Sequence, residues 1–403
     1  MRKREKNVQK KAAVMTSFVL LAVVLSAAEG CGKIEMASEE MAVSLEEKEV
    51  SVPVEIRGVE LEVKYYFSKL DKKEKDCYKE ILEGIQSGKE EIRVSLTDAK
   101  KVNEIFGLVL NDFPDIFWCS GQAQTTSYKN GEGGYSLFAP VYTYKGQEKE
   151  AMEQEIQREA EACIANYRPE QDSEYERIKY VYEYLIRSVD YETGVKDSQN
   201  IYSALVGKRS VCAGYARATQ YLLEKLGVFC TYVTGKSEGQ PHAWNLVQCD
   251  GKYYYVDTTW GDPVFRQDEG MPEISEEQKI QYDYLCCSDE ELFRTHSLDD
   301  NVEMPACVSL DANYYVKAGK YYQRYDQERI KRQLNQDIAE GNVTSVFKFS
   351  DKKSYEEARK KIVGEDIKEA AGNLAKRYGL TSVRYSYQED PRLYKVTVYW
   401  QYG

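Results

Sequence analysis

The 403 residues carry 55 Lys/Arg against 67 Asp/Glu, a net charge of −12, with 42% hydrophobic and 12% aromatic residues. This is the composition of a folded protein with room for a leader and two or three domains, at roughly 100–200 residues per domain. The acidity argues against a nucleic-acid partner, because phosphate backbones repel it.

Residues 2–11 are basic, and an apolar run from Ala12 to Ala28 follows, then small residues. Charged region, apolar region and small residues predict a secretory signal over residues 1–30. A retained anchor is the alternative, the run being near the short limit of about 17 residues for a spanning helix. The leader holds six Lys/Arg against two Glu, so the rest of the chain carries −16. Gly30-Cys31-Gly32 resembles the end of a bacterial lipoprotein signal. That resemblance implies lipidation at Cys31 and an exported protein tethered to the extracellular face of the membrane, or else secreted.

Residues 31–55 are acidic and aperiodic and include Pro53, and read as a flexible linker. Residues 56–150 read as an N-terminal accessory α+β region, with helical patches at 71–86 and 98–110 and a β-rich stretch at 134–144. The next unit, 151–308, opens with amphipathic helices at 147–167 and 173–188; in the second, Ile178, Val181 and Leu185 recur at helical spacing. Residues 309–403 read as a C-terminal α+β module: a Tyr-rich strand pair at 314–325, helices near 326–339, 351–362 and 365–378, and strands at 381–388 and 392–401.

Ten cysteines show no CxxC spacing, which excludes zinc-ribbon and thioredoxin-type sites. Two histidines far apart in sequence, with no HExxH, leave too few ligands for a metalloenzyme. No metal or cofactor is expected. The chemistry is sought instead between 199 and 263. Cys212 opens a segment whose stripe of Tyr215, Ala216, Thr219, Leu222, Leu223 and Leu226 predicts a helix ended by Gly227. A thiol at a helix start faces unpaired N–H groups and the positive end of the dipole, which can lower a Cys pKa from about 8.5 to roughly 3.5–7.5. Ala213 and Gly214 beside it would let a substrate backbone approach.

Gln240-Pro241 reads as a break, His242–Cys249 as a strand, Asp250-Gly251 as a two-residue turn and Lys252–Asp257 as the return strand. A turn centred there makes opposed residue numbers add to 501. His242 and Asp257 then become diagonal neighbours on one face, within reach of a carboxylate–imidazole hydrogen bond. Such a carboxylate fixes the imidazole tautomer, leaving the other nitrogen to take the thiol proton of Cys212. Trp244 and Trp260 are expected to pack beside the three, as shields or as plain core. His296 reads as a surface or packing residue.

Val-Cys-Ala-Gly-Tyr-Ala (211–216), His-Ala-Trp-Asn (242–245) and Val-Asp-Thr-Thr-Trp-Gly-Asp-Pro (256–263) together resemble, in order and spacing, the three blocks of the transglutaminase-like superfamily. The resemblance covers roughly residues 170–300. It implies an α+β, papain-like core in which a Cys-bearing helix packs on an antiparallel sheet carrying His and Asp. Catalytic roles then fall to Cys212 as nucleophile, His242 as general base and acid, and Asp257 as orienting carboxylate. Gln199 is a candidate second oxyanion donor beside the Cys212 N–H, or a plain surface glutamine. The implied reaction is attack on a peptide or side-chain amide through a thioester, hydrolytic by preference since water is always present. Cross-linking to an amine and a non-catalytic cell-surface binding module are the alternatives. Peptide or protein, including cell-envelope peptide, is the expected partner.

Overall fold

The structure is a computed structural model, and it describes residues 37–40, 61–130, 133–262, 280–299, 303–379 and 383–401. The expected leader, Cys31 and most of the expected linker lie outside these residues. Within the linker, β1 (Ala37–Glu40) pairs in parallel with β3 (Cys119–Asn130), so this piece is docked as an edge strand and is not free tether.

Helices α1 (Tyr65–Ser68), α2 (Lys72–Gln86) and α3 (Ala99–Asp112) accompany a sheet in the order β1–β3–β4–β2. Its other strands are β2 (Ile92–Val94), β3 (Cys119–Asn130) and β4 (Gly133–Tyr142). Asp71 starts α2 with a reciprocal capping box to Glu74. The sequence reading finds both long helices and β4 but misses β3, whose residues 119–130 are polar and small. Paired on both sides, β3 is held by its ladder and not by an apolar face.

The central unit begins with α4 (Gly146–Ala165), α5 (Glu174–Ser188), β5 (Asp190–Tyr191), α6 (Ile201–Leu205), β6 (Arg209–Ser210) and α7 (Cys212–Lys225). Then come β7 (Cys230–Ser237), β8 (Gln240–Cys249), β9 (Lys252–Val256), α8 (Thr258–Gly261), β10 (Leu285–Cys287), α9 (Asp289–Leu292) and β11 (His296–Leu298). Its strands form an antiparallel sheet in the order β10–β9–β8–β7–β11. The fold is α+β, with α7 laid on this sheet.

One hydrophobic core runs from Leu61 to Ala312, across position 150, joining α2 and α3 to α5 and α7. Polar ties reinforce it: Lys64 Nζ donates to Glu224 at 2.8 Å, and the Tyr66 hydroxyl to the Tyr232 carbonyl at 2.6 Å. The N-terminal region is therefore a wall of the central unit.

The C-terminal residues form α10 (Tyr314–Lys317), β12 (Tyr321–Tyr322), α11 (Gln327–Glu340), β13 (Thr344–Phe349), α12 (Lys352–Lys361), α13 (Ile367–Tyr378), β14 (Arg384–Asp390) and β15 (Lys395–Gln401). The expected strand pair at 314–325 is instead a helical turn and a two-residue strand. Asn313 caps the turn, accepting from the Tyr315 and Val316 N–H groups. The three longer helices stand as expected; β13, buried in this module's own core, was not read from the sequence.

The module is locked to the central unit through one buried carboxylate. Asp283 accepts from Lys348 Nζ at 2.8 Å and from Lys395 Nζ, and the three side chains are almost wholly buried. Burial alone would push this carboxyl up, but the two ammonium groups outweigh it and hold it below the usual carboxylate range. Asp283→Asn should lower unfolding free energy by about 3–5 kcal/mol, because two buried ammonium groups lose their counter-charge. A depressed folded pKa means the contribution is complete above the unfolded value and is lost as pH falls through the folded one. Parent stability should accordingly drop below about pH 4, and the Asn variant should lack that component. Denaturant titrations across pH check both.

Candidate active site

The turn at Asp250-Gly251 has both residues at positive φ, 50° and 75°, the geometry a two-residue hairpin demands. It fixes the register of β8 on β9: Asn245 opposes Val256, and Cys249 opposes Lys252. The numbers add to 501, so His242 and Asp257 share a face. The expected break at Gln240-Pro241 is absent; β8 runs through it. Pro241 is tolerated because β8 pairs only with β7 there, β9 reaching no farther than Asn245.

Asp257 lies one residue beyond β9 and caps α8, its Oδ1 accepting the Trp260 N–H at 3.0 Å. Its Oδ2 lies 2.7 Å from His242 Nε2. Burial pushes this fully buried carboxyl up, but the His242 and His296 imidazoles outweigh it and leave it below the usual range. An ionised carboxylate can only accept, so His242 donates through Nε2.

Cys212 is the first residue of α7, behind Val211, an N-cap whose side chain makes no capping hydrogen bond. It sits in a small buried cluster with Ala213, Ala216, Tyr232 and Ala243, the last being the neighbour of His242. The eight other described cysteines are free. Burial pushes every one of those eight thiols up, Cys163 to about 11 and Cys119 and Cys249 to about 12.

Residues of the three motifs other than Cys212, His242 and Asp257 staple α7 to the sheet. Asn245 Nδ2 donates to the Ala216 carbonyl at 2.9 Å. Thr219 and Thr258 pair hydroxyls at 2.9 Å, and the Tyr215 hydroxyl donates to Asp262 at 2.7 Å. Gly214 also has a structural duty. A Cβ there would lie 1.9 Å from Ser210 Oγ and 2.9 Å from the Ser198 carbonyl, so its smallness serves chain packing and not substrate approach.

Ala213, Gln199 and His242 line a cleft of about 1360 Å³ together with Asn103 and Asn111 of α3. Gln199 is exposed at its rim, just before α6. Trp244 stacks on His242 at a centroid distance of 6.0 Å, and Trp260 packs against His296 at 5.4 Å.

His296 departs from its sequence reading. It is buried, and its Nε2 lies 3.0 Å from the same Asp257 Oδ2. It arrives on β11, a three-residue strand with no detectable period, which pairs with β7. The only sequence signal was the scarcity of histidine. The two rings, far apart in sequence, thus join Asp257 to bring three possible metal-ligating side chains within 4.8 Å of one another. Their spacings of 2.7 and 3.0 Å are hydrogen-bond lengths; an ion at about 2.0–2.1 Å from each ligand would have to spread them.

Residues 162–258 match the family model described as the transglutaminase-like superfamily. This stretch is what the chain shares with that superfamily. The curated relatives are distant. Kyphoscoliosis peptidase of Mus musculus is 27% identical over 115 residues, covering 24% of this chain and 17% of that protein. The Homo sapiens protein of the same name is 26% identical over the same shares. The chain thus spans under a fifth of the length of these relatives. A solved structure described as a TGase aligns with 39% of this chain and 55% of its own, at 15% identity and a TM-score of 0.26.

Gly214→Ala should destabilise by about 1–3 kcal/mol, since Ser210 must leave its 2.7 Å bonds to the Ser198 carbonyl and Ser203 hydroxyl. Thermal and denaturant unfolding measure this; parent-like stability would mean that the α7 start can shift at no cost.

Proposed function

We propose that this chain is an exported, cysteine-dependent enzyme that cleaves peptide or side-chain amides through a thioester. The observation that carries the reading is the buried 2.7 Å His242–Asp257 hydrogen bond next to a helix that begins at Cys212. Asp257 engages Nε2 and so leaves Nδ1 for the thiol. Nδ1 takes the Cys212 proton, and the sulfur forms a bond to the amide carbonyl carbon. The oxyanion is held by the Cys212 N–H and the Gln199 side chain. As the C–N bond breaks, His242 returns its proton to the departing amine. Water then attacks the thioester, giving a proton to His242, and the carboxylic acid leaves as the thiol is restored. An amine in place of water would give cross-linking.

The reading extends to location, on the resemblance of residues 1–32 to a lipoprotein signal: Cys31 is the lipidated N-terminus at the outer face of the membrane. The intact mass of the mature protein should correspond to a chain beginning at Cys31 with added lipid; an unmodified or uncleaved N-terminus contradicts it.

Cys212 should alkylate at neutral pH far faster than the eight other described thiols, seven of which are buried, and His242→Ala should slow it at least about tenfold. Incubation with cell-envelope peptides, with and without a primary amine, then compares wild type with Cys212→Ala by mass spectrometry. New peptide ends are the expected result. Amine incorporation would replace hydrolysis by transfer, and identical spectra would leave only a binding role.

A further inference from the structure

Two imidazoles converge on one carboxylate oxygen: Asp257 Oδ2 lies 2.7 Å from His242 Nε2 and 3.0 Å from His296 Nε2. An ionised carboxylate accepts from both. On its other side, His296 Nδ1 lies 2.8 Å from Thr295 Oγ1, which lies 2.8 Å from the Tyr284 hydroxyl. These contacts satisfy a neutral ring protonated on Nε2. Tyr284 donates to Thr295, Thr295 donates to Nδ1, and Nε2–H donates to Asp257. The Leu292 carbonyl, 3.4 Å from Thr295 Oγ1, is the poorer alternative for that hydroxyl proton. A doubly protonated His296 would instead bury a second cation against the single carboxylate that already serves His242.

The placement is sterically specific. His296 pairs with Ser237 of β7, two residues from Gly235, which pairs with His242. A Cβ on Gly235 would lie 2.1 Å from the Ser297 carbonyl and 2.6 Å from Trp244 Cη2. Without one, the two imidazole centroids approach to 5.4 Å across β7. Trp244, Trp260 and Tyr284 box the His296 ring at 5.2, 5.4 and 5.2 Å. The other titratable side chains facing the carboxylate are Tyr182 of α5 and Tyr191 of β5, both pushed up by burial and thus neutral.

We propose that His296 is a positioning residue of the Cys212–His242–Asp257 centre, a neutral imidazole that fixes Asp257 Oδ2 and takes a share of its charge. A buried carboxylate serving His242 alone would hold its imidazolium too firmly for an acid that must give the proton back. A second donor on the same oxygen weakens that hold while keeping the carboxylate aimed.

The inference rests on the catalytic reading of the site, yet its test needs no substrate. The chain has two histidines, so ¹⁵N-histidine labelling of the reduced full-length protein gives two ring systems by NMR. One should remain a neutral Nε2–H ring through the neutral range, and the His296→Leu spectrum assigns it. In His296→Leu the remaining ring, His242, should keep its proton to a pH higher by about one unit, the worth of one charge-assisted hydrogen bond. His296→Gln, which retains an N–H donor, should return that titration towards wild type. The proposal is overturned if the His242 titration does not move in His296→Leu. It is equally overturned if Gln behaves as Leu, so that only shape matters, or if His296 carries its proton on Nδ1. Should the Leu variant fail to fold, the wild-type tautomer and the Gln titration still decide. Alkylation of Cys212 separates the two failures. If His242→Ala leaves it unchanged, the catalytic reading falls; if His242 matters but the titration stays put, only the role of His296 falls.

Discussion

Asp257 is the fixed point of the centre. Its Oδ1 holds the first turn of α8 through the Trp260 N–H, and its Oδ2 receives two imidazole donors. A fully buried carboxylate is costly unless its oxygens are satisfied, and here three N–H groups from three segments do so. The same residue therefore ends a strand, begins a helix and orients a histidine. Its position is set by the hairpin turn, because a loop one residue longer would put it on the opposite face from His242.

Around that point the remaining motif residues act as fasteners. Asn245, Thr258, Asp262 and Tyr215 tie α7 to the sheet and to α8, so the helix bearing Cys212 has little freedom to slide. Gly214 lets its first turn sit against Ser198 and Ser210. Read as chemistry, the three motifs hold the proposed catalytic residues Cys212, His242 and Asp257. Read as packing, they contain the joints that hold the Cys212 helix at one height above the sheet.

The flanking regions bear on the site differently. The N-terminal region shares the central core and supplies α3 residues to the lining of the cleft, so it contributes to what can enter. The C-terminal module keeps a core of its own and meets the central unit through Asp283, Lys348 and Lys395. A charged junction of this kind adds specificity of docking more than stability, since its desolvation cost offsets much of the attraction.

Local physics left a readable record in this chain. The helix stripes, the Asp-Gly turn and its register, and the pairing of His242 with Asp257 all follow from short-range periodicity and turn chemistry, which act within about 20 residues. The decisions made elsewhere depended on segments meeting from afar. The polar strand β3 is stable only as part of a ladder and β13 only inside a core; the helical turn Tyr314–Lys317, by contrast, answers to its adjacent cap, Asn313, a local signal. His296 reaches Asp257 only because a three-residue strand pairs across β7 beside a glycine. The sequence by itself determined which side chains could do acid–base work; tertiary pairing decided that a second histidine would join them, because no local pattern encodes which strand edge a short segment will find.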